Sequence, residues 1–190
     1  MLCDVYDNLF SKDFMVNLDN KIKNIPVETA NISGARHTMD RGVIGNHRLF
    51  GLCVFSREGL NRITKLHEES KIFFDALENI ENKLKKKYYV EGIHLNLQHS
   101  GCNGSTHVDS ESPHEKTVML MSNCYWESDW GGQFQLTNAE GTDIVEEHEY
   151  VPGRVLVIPS NHPHRGLGPK VEYPYVYRTT IVFRTKPLIF

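Results

Sequence analysis

Cysteine is scarce in this chain. Cys3, Cys53, Cys102 and Cys124 are the four present, and no two of them form a C-x-x-C pair. That spacing gives no support to a thiolate zinc clip or a redox dithiol, and leaves reduced, unpaired thiols as the plain reading. Long apolar runs are missing too. No stretch approaches the roughly 20 residues that a helix needs to span a bilayer. The start, MLCDVYDNLFSKDF, has no cationic segment followed by an apolar one, so no secretion signal is expected and a cytoplasmic location is. Excess positive charge is also absent. A net charge of −3 and a pI near 6.4 give no general attraction to nucleic acid or to an anionic membrane. Internal repeats, low-complexity tracts and Pro/Gly/Ser-rich linkers are lacking. The 190 residues, 39% hydrophobic, are therefore expected to build one core and a single domain, 1–190.

Two halves of different character make up what is there. Residues 1–88 read as a mainly helical lead-in and 89–190 as a β-rich core. From Ser56 to Lys87 the apolar residues Ile63, Leu66, Phe73, Leu77, Ile80 and Leu84 recur at three- and four-residue steps, which predicts one face of a long helix. Ser56 is placed to cap its start. The run Lys83, Lys85, Lys86 and Lys87 suits the negative end of the helix dipole, and a solvated face is the commoner use of such a run. After Tyr88 short β-rich segments alternate with turn residues, from YYVEGIHLNLQ to YRTTIVFR, as in a sandwich or jelly roll with the helix packed outside. In the first of these, Ile93, Leu95 and Leu97 fall on one face and His94, Asn96 and Gln98 on the other. A polar face inside a barrel marks a site, but an ordinary exposed face alternates in the same way and is more common.

His107 and Asp109 follow a glycine-rich turn, GCNGST, and on an extended chain they point the same way. One imidazole, one carboxylate and a second imidazole make the facial triad that suits iron(II) and leaves coordination positions open. H-x-D alone is a weak signal in a chain with ten histidines. His162 and His164 both come after the turn-then-strand segment PGRVLVIPSN. The next residues, HRGLGP and then a strand carrying Arg178 and Thr180 on one face, favour His164, with His162 the alternative. Arg178 offers a planar, permanently charged fork for the far carboxylate of a dicarboxylic acid that chelates the metal through its other end. An isolated arginine on a terminal strand more often makes a surface salt bridge, but its place after H-x-D and a distal histidine favours the anchor.

These blocks together resemble the 2-oxoglutarate- and iron(II)-dependent oxygenases of the prolyl 4-hydroxylase type, including small versions carried by bacteriophages. NLQHSGCNGSTHVD is similar to the family's strand, glycine turn and H-x-D. SNCYWESDWGGQFQL is similar to its W-x-GG-E-x-x-L segment, with Gln133 in place of the usual acid. VPGRVLVIPSNHPHRGLGP is similar to its P-x-G-R strand and distal histidine, and YRTTIVFR to its R-x-S/T strand. The resemblance implies a mainly β fold with flanking helices, the double-stranded β-helix (a cupin-like jelly roll). It implies iron ligation by His107, Asp109 and His164, with Arg178 and Thr180 on 2-oxoglutarate. Asn96, Gln98 and Met121 would line the cosubstrate pocket, Met121 standing where a tyrosine is frequent. Arg178 follows His164 by fourteen residues, a longer loop than in many relatives. Iron(II), 2-oxoglutarate and O2 are the implied cofactors, with ascorbate a candidate reductant. The implied activity is hydroxylation of an unactivated C–H bond, first of all in a peptidyl proline. A free amino acid or small metabolite is the alternative substrate, and a non-catalytic cupin-like metal-binding module the alternative function. Arg178 and Arg184 also resemble the paired arginines of nucleic-acid demethylases of the superfamily, a third reading that the GG block and acidic charge disfavour.

Overall fold

The structure is a computed structural model that describes residues 2–30, 49–58 and 62–187. Strand β1 (Asp4–Tyr6) leads into helix α1 (Lys12–Lys23). The Ser11 hydroxyl caps that helix by accepting from the Phe14 amide at 3.2 Å. Asp13 in its first turn and Lys21 and Lys23 in its last complement the dipole. Strands β2 (Glu28–Ala30), β3 (Leu49–Glu58) and β4 (Arg62–Leu66) precede helix α2 (Ser70–Leu84). That helix buries Phe73, Ala76, Leu77 and Ile80 at helical spacing and stops at Lys85, which takes a left-handed conformation at φ 51°. Then come β5 (Tyr89–His99), β6 (Lys116–Met121), β7 (Phe134–Thr137) and β8 (Ile144–His148). β9 (Val155–Pro159), β10 (His164–Gly166) and β11 (Tyr177–Lys186) close the chain.

The larger sheet runs β1-β9-β6-β11-β5-β3-β2, with β4 added on β3, and the smaller runs β10-β7-β8. The alternating pleat of β5, β6 and β11 sorts their side chains into two layers. Ile93, Leu95, Val118, Leu120, Ile181 and Phe183 pack outward against Leu18 and Ile22 of α1 and Phe73 and Ile80 of α2. Met119, Met121 and Val182 turn inward and meet Phe134 and Leu136 of β7, with Leu156 and Ile158 of β9. The polar row of β5 lies on that inner face: Gln98 is opposite Arg178, Asn96 opposite Thr180 and His94 opposite Val182. The alternation in β5 is thus an interior feature, and no helix among the described residues is long and apolar enough to cross a membrane.

The expected Ser56–Lys87 helix needs correction. Ser56 does not cap a helix but sits inside β3, and Arg62–Leu66 form β4, antiparallel to it, with Phe55 opposite Leu66 and Glu58 opposite Arg62. Ile63 and Leu66, read as part of the apolar stripe, are 56% and 58% exposed, so their spacing was coincidence. Only the part from Ser70 is helical. Residues 59–61, over which the expected helix would have run, lie outside the described residues. The lead-in also contributes strands β1 to β4 to the large sheet, beside its two helices.

Candidate metal centre

His107 and His164 come together because they are cross-strand partners in an antiparallel bridge. The His107 amide donates to the His164 carbonyl at 3.0 Å, and the His164 amide to the His107 carbonyl at 2.9 Å. Their rings lie 4.6 Å apart. Two residues on, the Asp109 amide donates to the Ser160 carbonyl at 2.8 Å, which aims its carboxylate at the same point. Asp109 Oδ1 is 3.8 Å from His107 Nε2, and Oδ2 is 3.5 Å from His164 Nε2. One ligand atom from each of the three falls within 4.8 Å of the others. His162 contributes its carbonyl rather than its ring.

The hydrogen-bonded surroundings select the ligand atoms. His107 Nδ1 donates to the Ser105 carbonyl at 2.9 Å and His164 Nδ1 to the His162 carbonyl at 2.8 Å. A carbonyl can only accept, so the proton sits on Nδ1 and each Nε2 carries the lone pair, the tautomer a metal requires. Thr117 Oγ1 donates to Asp109 Oδ2 at 2.6 Å, and Arg184 Nη2 lies 3.3 Å from Oδ1. Burial pushes Asp109 up, but His164, His107, Arg184 and Thr117 outweigh it and hold the carboxyl well below its usual range. Burial, then the neighbouring His107, lowers His164 to about 4. Burial, then Arg184, lowers His94 to about 4.

These shifts make stability depend on pH. In the unfolded chain these histidines take up protons near pH 6.5, whereas in the folded chain they refuse them down to about 4. The metal-free protein should therefore hold its stability above about pH 7 and lose it as the pH falls from about 6.5 toward 4, by on the order of 1–2 kcal/mol per histidine at pH 5. Asp109 adds a further loss below about pH 4, where its unfolded counterpart protonates first. Urea midpoints at pH 7 and pH 5 measure this, and His94→Gln should reduce the difference; a flat profile would contradict it.

A second feature lies at the far end of the same inner face. Arg178 is 2% exposed. Its Nε donates to the Gly132 carbonyl at 2.9 Å and its Nη1 to Gln98 Oε1 at 2.7 Å. Gln98 is fixed in turn by donating to the Cys102 and Gly166 carbonyls, both at 2.9 Å. The Tyr150 ring faces the guanidinium at 5.3 Å. Nη2 is buried and has no hydrogen-bond partner among the described residues. Burial lowers Arg178 to about 10, so it remains a cation at neutral pH. Gly166, two residues from His164, leaves the room: a Cβ there would stand 3.0 Å from Nη1 and 3.2 Å from Nη2. Gly132 has φ +81°, and a Cβ on it would meet Trp126 Cζ2 at 2.7 Å. The paired glycines thus let Trp126 pack close while a carbonyl holds Arg178.

The other anticipated residues fall on this face. Asn96, Thr180 and Met121 stand side by side on β5, β11 and β6. Thr180 and Met121 are buried, and Met121 Sδ accepts from the Val151 amide at 3.2 Å. Gln98, on the same face, holds Arg178 through its amide oxygen. Sequence reasoning missed Thr117 and Tyr150, for which no local signal exists. Arg184 was noted only as the second of a pair, although its even spacing from Arg178 on β11 already put both on one face.

No protein-family model and no curated protein sequence matches the chain. Solved structures do. A prolyl-4-hydroxylase from Pseudomonas putida superposes with a TM-score of 0.62 at 18% identity, covering 97% of this chain and 92% of its own. An oxidoreductase of the 2OG-Fe(II) oxygenase family from Burkholderia pseudomallei gives 0.65 at 14% identity, with 97% and 85% covered. The viral collagen prolyl hydroxylase vCPH from Paramecium bursaria Chlorella virus-1, as its 2OG complex, gives 0.56 at 13% identity, with 98% and 97% covered. The fold is therefore the double-stranded β-helix of the 2-oxoglutarate/iron(II) oxygenases, as the sequence resemblance implied.

Proposed function

We propose that this protein is a 2-oxoglutarate-dependent iron(II) oxygenase that hydroxylates an unactivated C–H bond, with a peptidyl proline as substrate. The observation that carries the reading is the unpartnered Arg178 Nη2, buried against Gly166 two residues from His164. A module that only bound metal would have no use for a cationic fork behind its ligands. A five-carbon dicarboxylate held by the metal at one end needs one at the other.

The donor set fits iron(II), with two neutral imidazole Nε2 atoms and one carboxylate that stays ionised. His107, Asp109 and His164 would hold it, and Arg178 with Thr180 would hold the distal carboxylate of 2-oxoglutarate, beside Asn96 and Met121. With O2 these groups supply the oxidising chemistry, in which 2-oxoglutarate leaves as succinate and CO2. The protein's share is orientation and the exclusion of water. Thr117 and Arg184 fix the Asp109 carboxylate, Gln98 and Gly132 fix the guanidinium, and the apolar layer of Met119, Met121, Phe134 and Val182 keeps the interior dry. Proline as the substrate is supported by two neighbours in fold, a prolyl-4-hydroxylase and a collagen prolyl hydroxylase.

Iron(II) and 2-oxoglutarate added without oxygen should produce a weak visible charge-transfer band. In air, proline-containing peptides should then drive succinate formation and gain one oxygen by mass spectrometry. Absence of the band from folded protein would favour a metal-binding module, and turnover with free amino acids alone would sink the peptide assignment.

A further inference from the structure

Arg184 stands at the end of the inner face of β11 opposite Arg178. The two are six residues apart, about 20 Å along an extended strand. Their surroundings differ. Arg178 is 2% exposed, whereas the Arg184 side chain is 40% exposed beside an Asp109 side chain that is only 7% exposed. Arg184 therefore reaches from the metal ligands toward solvent. One nitrogen, Nη2, meets Asp109 Oδ1 at 3.3 Å. Its Nε is buried and has no hydrogen-bond partner among the described residues. A guanidinium with five N–H donors in a fixed fork is thus only partly used.

The neighbouring charges have the same sign. Next to Arg184 on the inner face is His94, opposite Val182 in the β5 register and opposite Cys53 in β3. Both Arg184 and Lys65 of the exposed strand β4 oppose the protonation of His94, with Asp109 acting the other way. Lys65 is also in line with Arg184 across the sheet: it is opposite Ser56 of β3, which is opposite Gly92 of β5, which is opposite Arg184. Three strands therefore bring Arg184, Lys65 and a neutral imidazole to one corner, where Asp109 is the opposing acid. Once Asp109 is committed to a metal cation, the corner is left with positive charge and unused donors. A cosubstrate enclosed in the protein suits Arg178. A group arriving from outside suits Arg184.

We propose that Arg184, backed by Lys65, is an anion subsite for the molecule that is hydroxylated, and that this substrate carries a carboxylate. The inference rests on the oxygenase reading above. An arginine fork pairs with a carboxylate through two parallel hydrogen bonds and keeps its charge at any working pH, so the substrate would be oriented at the end nearest Asp109. The carboxylate has two possible sources, the α-carboxylate of a free imino acid or an acidic side chain beside a proline in a peptide.

The test uses the protein with iron(II) and 2-oxoglutarate bound under anaerobic conditions and tracks the visible band as probes are added. Two matched pairs serve: N-acetyl-L-proline against its carboxamide, and an end-blocked peptide with aspartate beside proline against the same peptide with asparagine. In at least one pair the carboxylate member should bind ten-fold tighter or more, and the responding pair identifies the source. Arg184→Gln should erase that preference, and Lys65→Glu, on an exposed strand, should reduce it about three-fold. Equal binding within both pairs, binding by no probe, or a preference that survives Arg184→Gln overturns the proposal. If Arg184→Gln also costs iron, Lys65→Glu decides, and an unchanged preference there overturns it. A band missing before any probe is added overturns the oxygenase reading and this inference with it, whereas a band without carboxylate preference overturns this inference alone.

Discussion

Asp109→Ala is expected to abolish iron(II) retention and turnover while leaving the fold standing. Loss of a residue that merely orients a ligand costs about 10–100-fold in metal affinity, and removing one of three ligands should cost at least as much as the upper end of that range, about 100-fold or more. The truncation gives up the contacts that hold Asp109 ionised, but the loss is partly offset because it also removes a buried charge that was costly to desolvate. Thr117 keeps its 3.0 Å hydrogen bond to Ser160 Oγ, and Arg184, with 40% of its side chain exposed, can turn to water. The metal-free stability should thus fall by about 0.5–3 kcal/mol, the range of an ordinary substitution. Thermal unfolding with and without iron(II) separates the two effects. At a concentration 100 times its dissociation constant, iron should stabilise the unaltered protein by about 2.7 kcal/mol and the variant hardly at all. Iron-dependent stabilisation that persists in Asp109→Ala would remove Asp109 from the ligand set.

The parts of the site that sequence made legible are those where chain-local geometry decides direction. His107 and Asp109 are two apart on extended chain, and Gln98, Asn96 and His94 share the inner face of β5 by the same period of two. His164 was separable from His162 only through the glycine-rich segment and the Arg178 strand that come after it in the chain. The structure adds the reason: His164 is in register with His107, while His162 turns its carbonyl to His164 Nδ1. Contacts made across the sheets were not legible. Nothing near Thr117 in the chain says that it will meet Asp109, and nothing near Tyr150 says that its ring will face Arg178. The false helix over Ser56–Leu66 has a different cause. Two exposed apolar residues on β4, Ile63 and Leu66, happen to continue the period of α2, although Gly59 and Asn61 in the sequence are signals that end a helix.

Arg178→Met should strip the protein of 2-oxoglutarate affinity while leaving iron binding intact and the ligand-free fold close to its original stability. Taking one partner from a buried, hydrogen-bonded charge pair costs about 2–5 kcal/mol, which in affinity runs from tens- to thousands-fold. The same change would ordinarily wreck a buried site, but the ligand-free protein has no carboxylate paired with this arginine among the described residues. Its surroundings are two neutral acceptors, Gly132 O and Gln98 Oε1, and the face of Tyr150. An ion so placed carries a desolvation cost of several kcal/mol. Methionine returns that cost and fills similar volume with a flexible apolar chain, while orphaning two acceptors at about 1–3 kcal/mol each. The opposing amounts are comparable, so the net change should be small, in contrast to the roughly 3–5 kcal/mol lost on truncating a buried aromatic. Urea unfolding of the ligand-free protein and anaerobic titration of 2-oxoglutarate into the iron-loaded protein give the two halves of the test. Parallel losses of iron and 2-oxoglutarate, or a ligand-free fold weakened as much as by a core truncation, would make Arg178 a structural residue. Retained stability with lost 2-oxoglutarate would mean that its buried, half-paired charge is kept for the cosubstrate it binds.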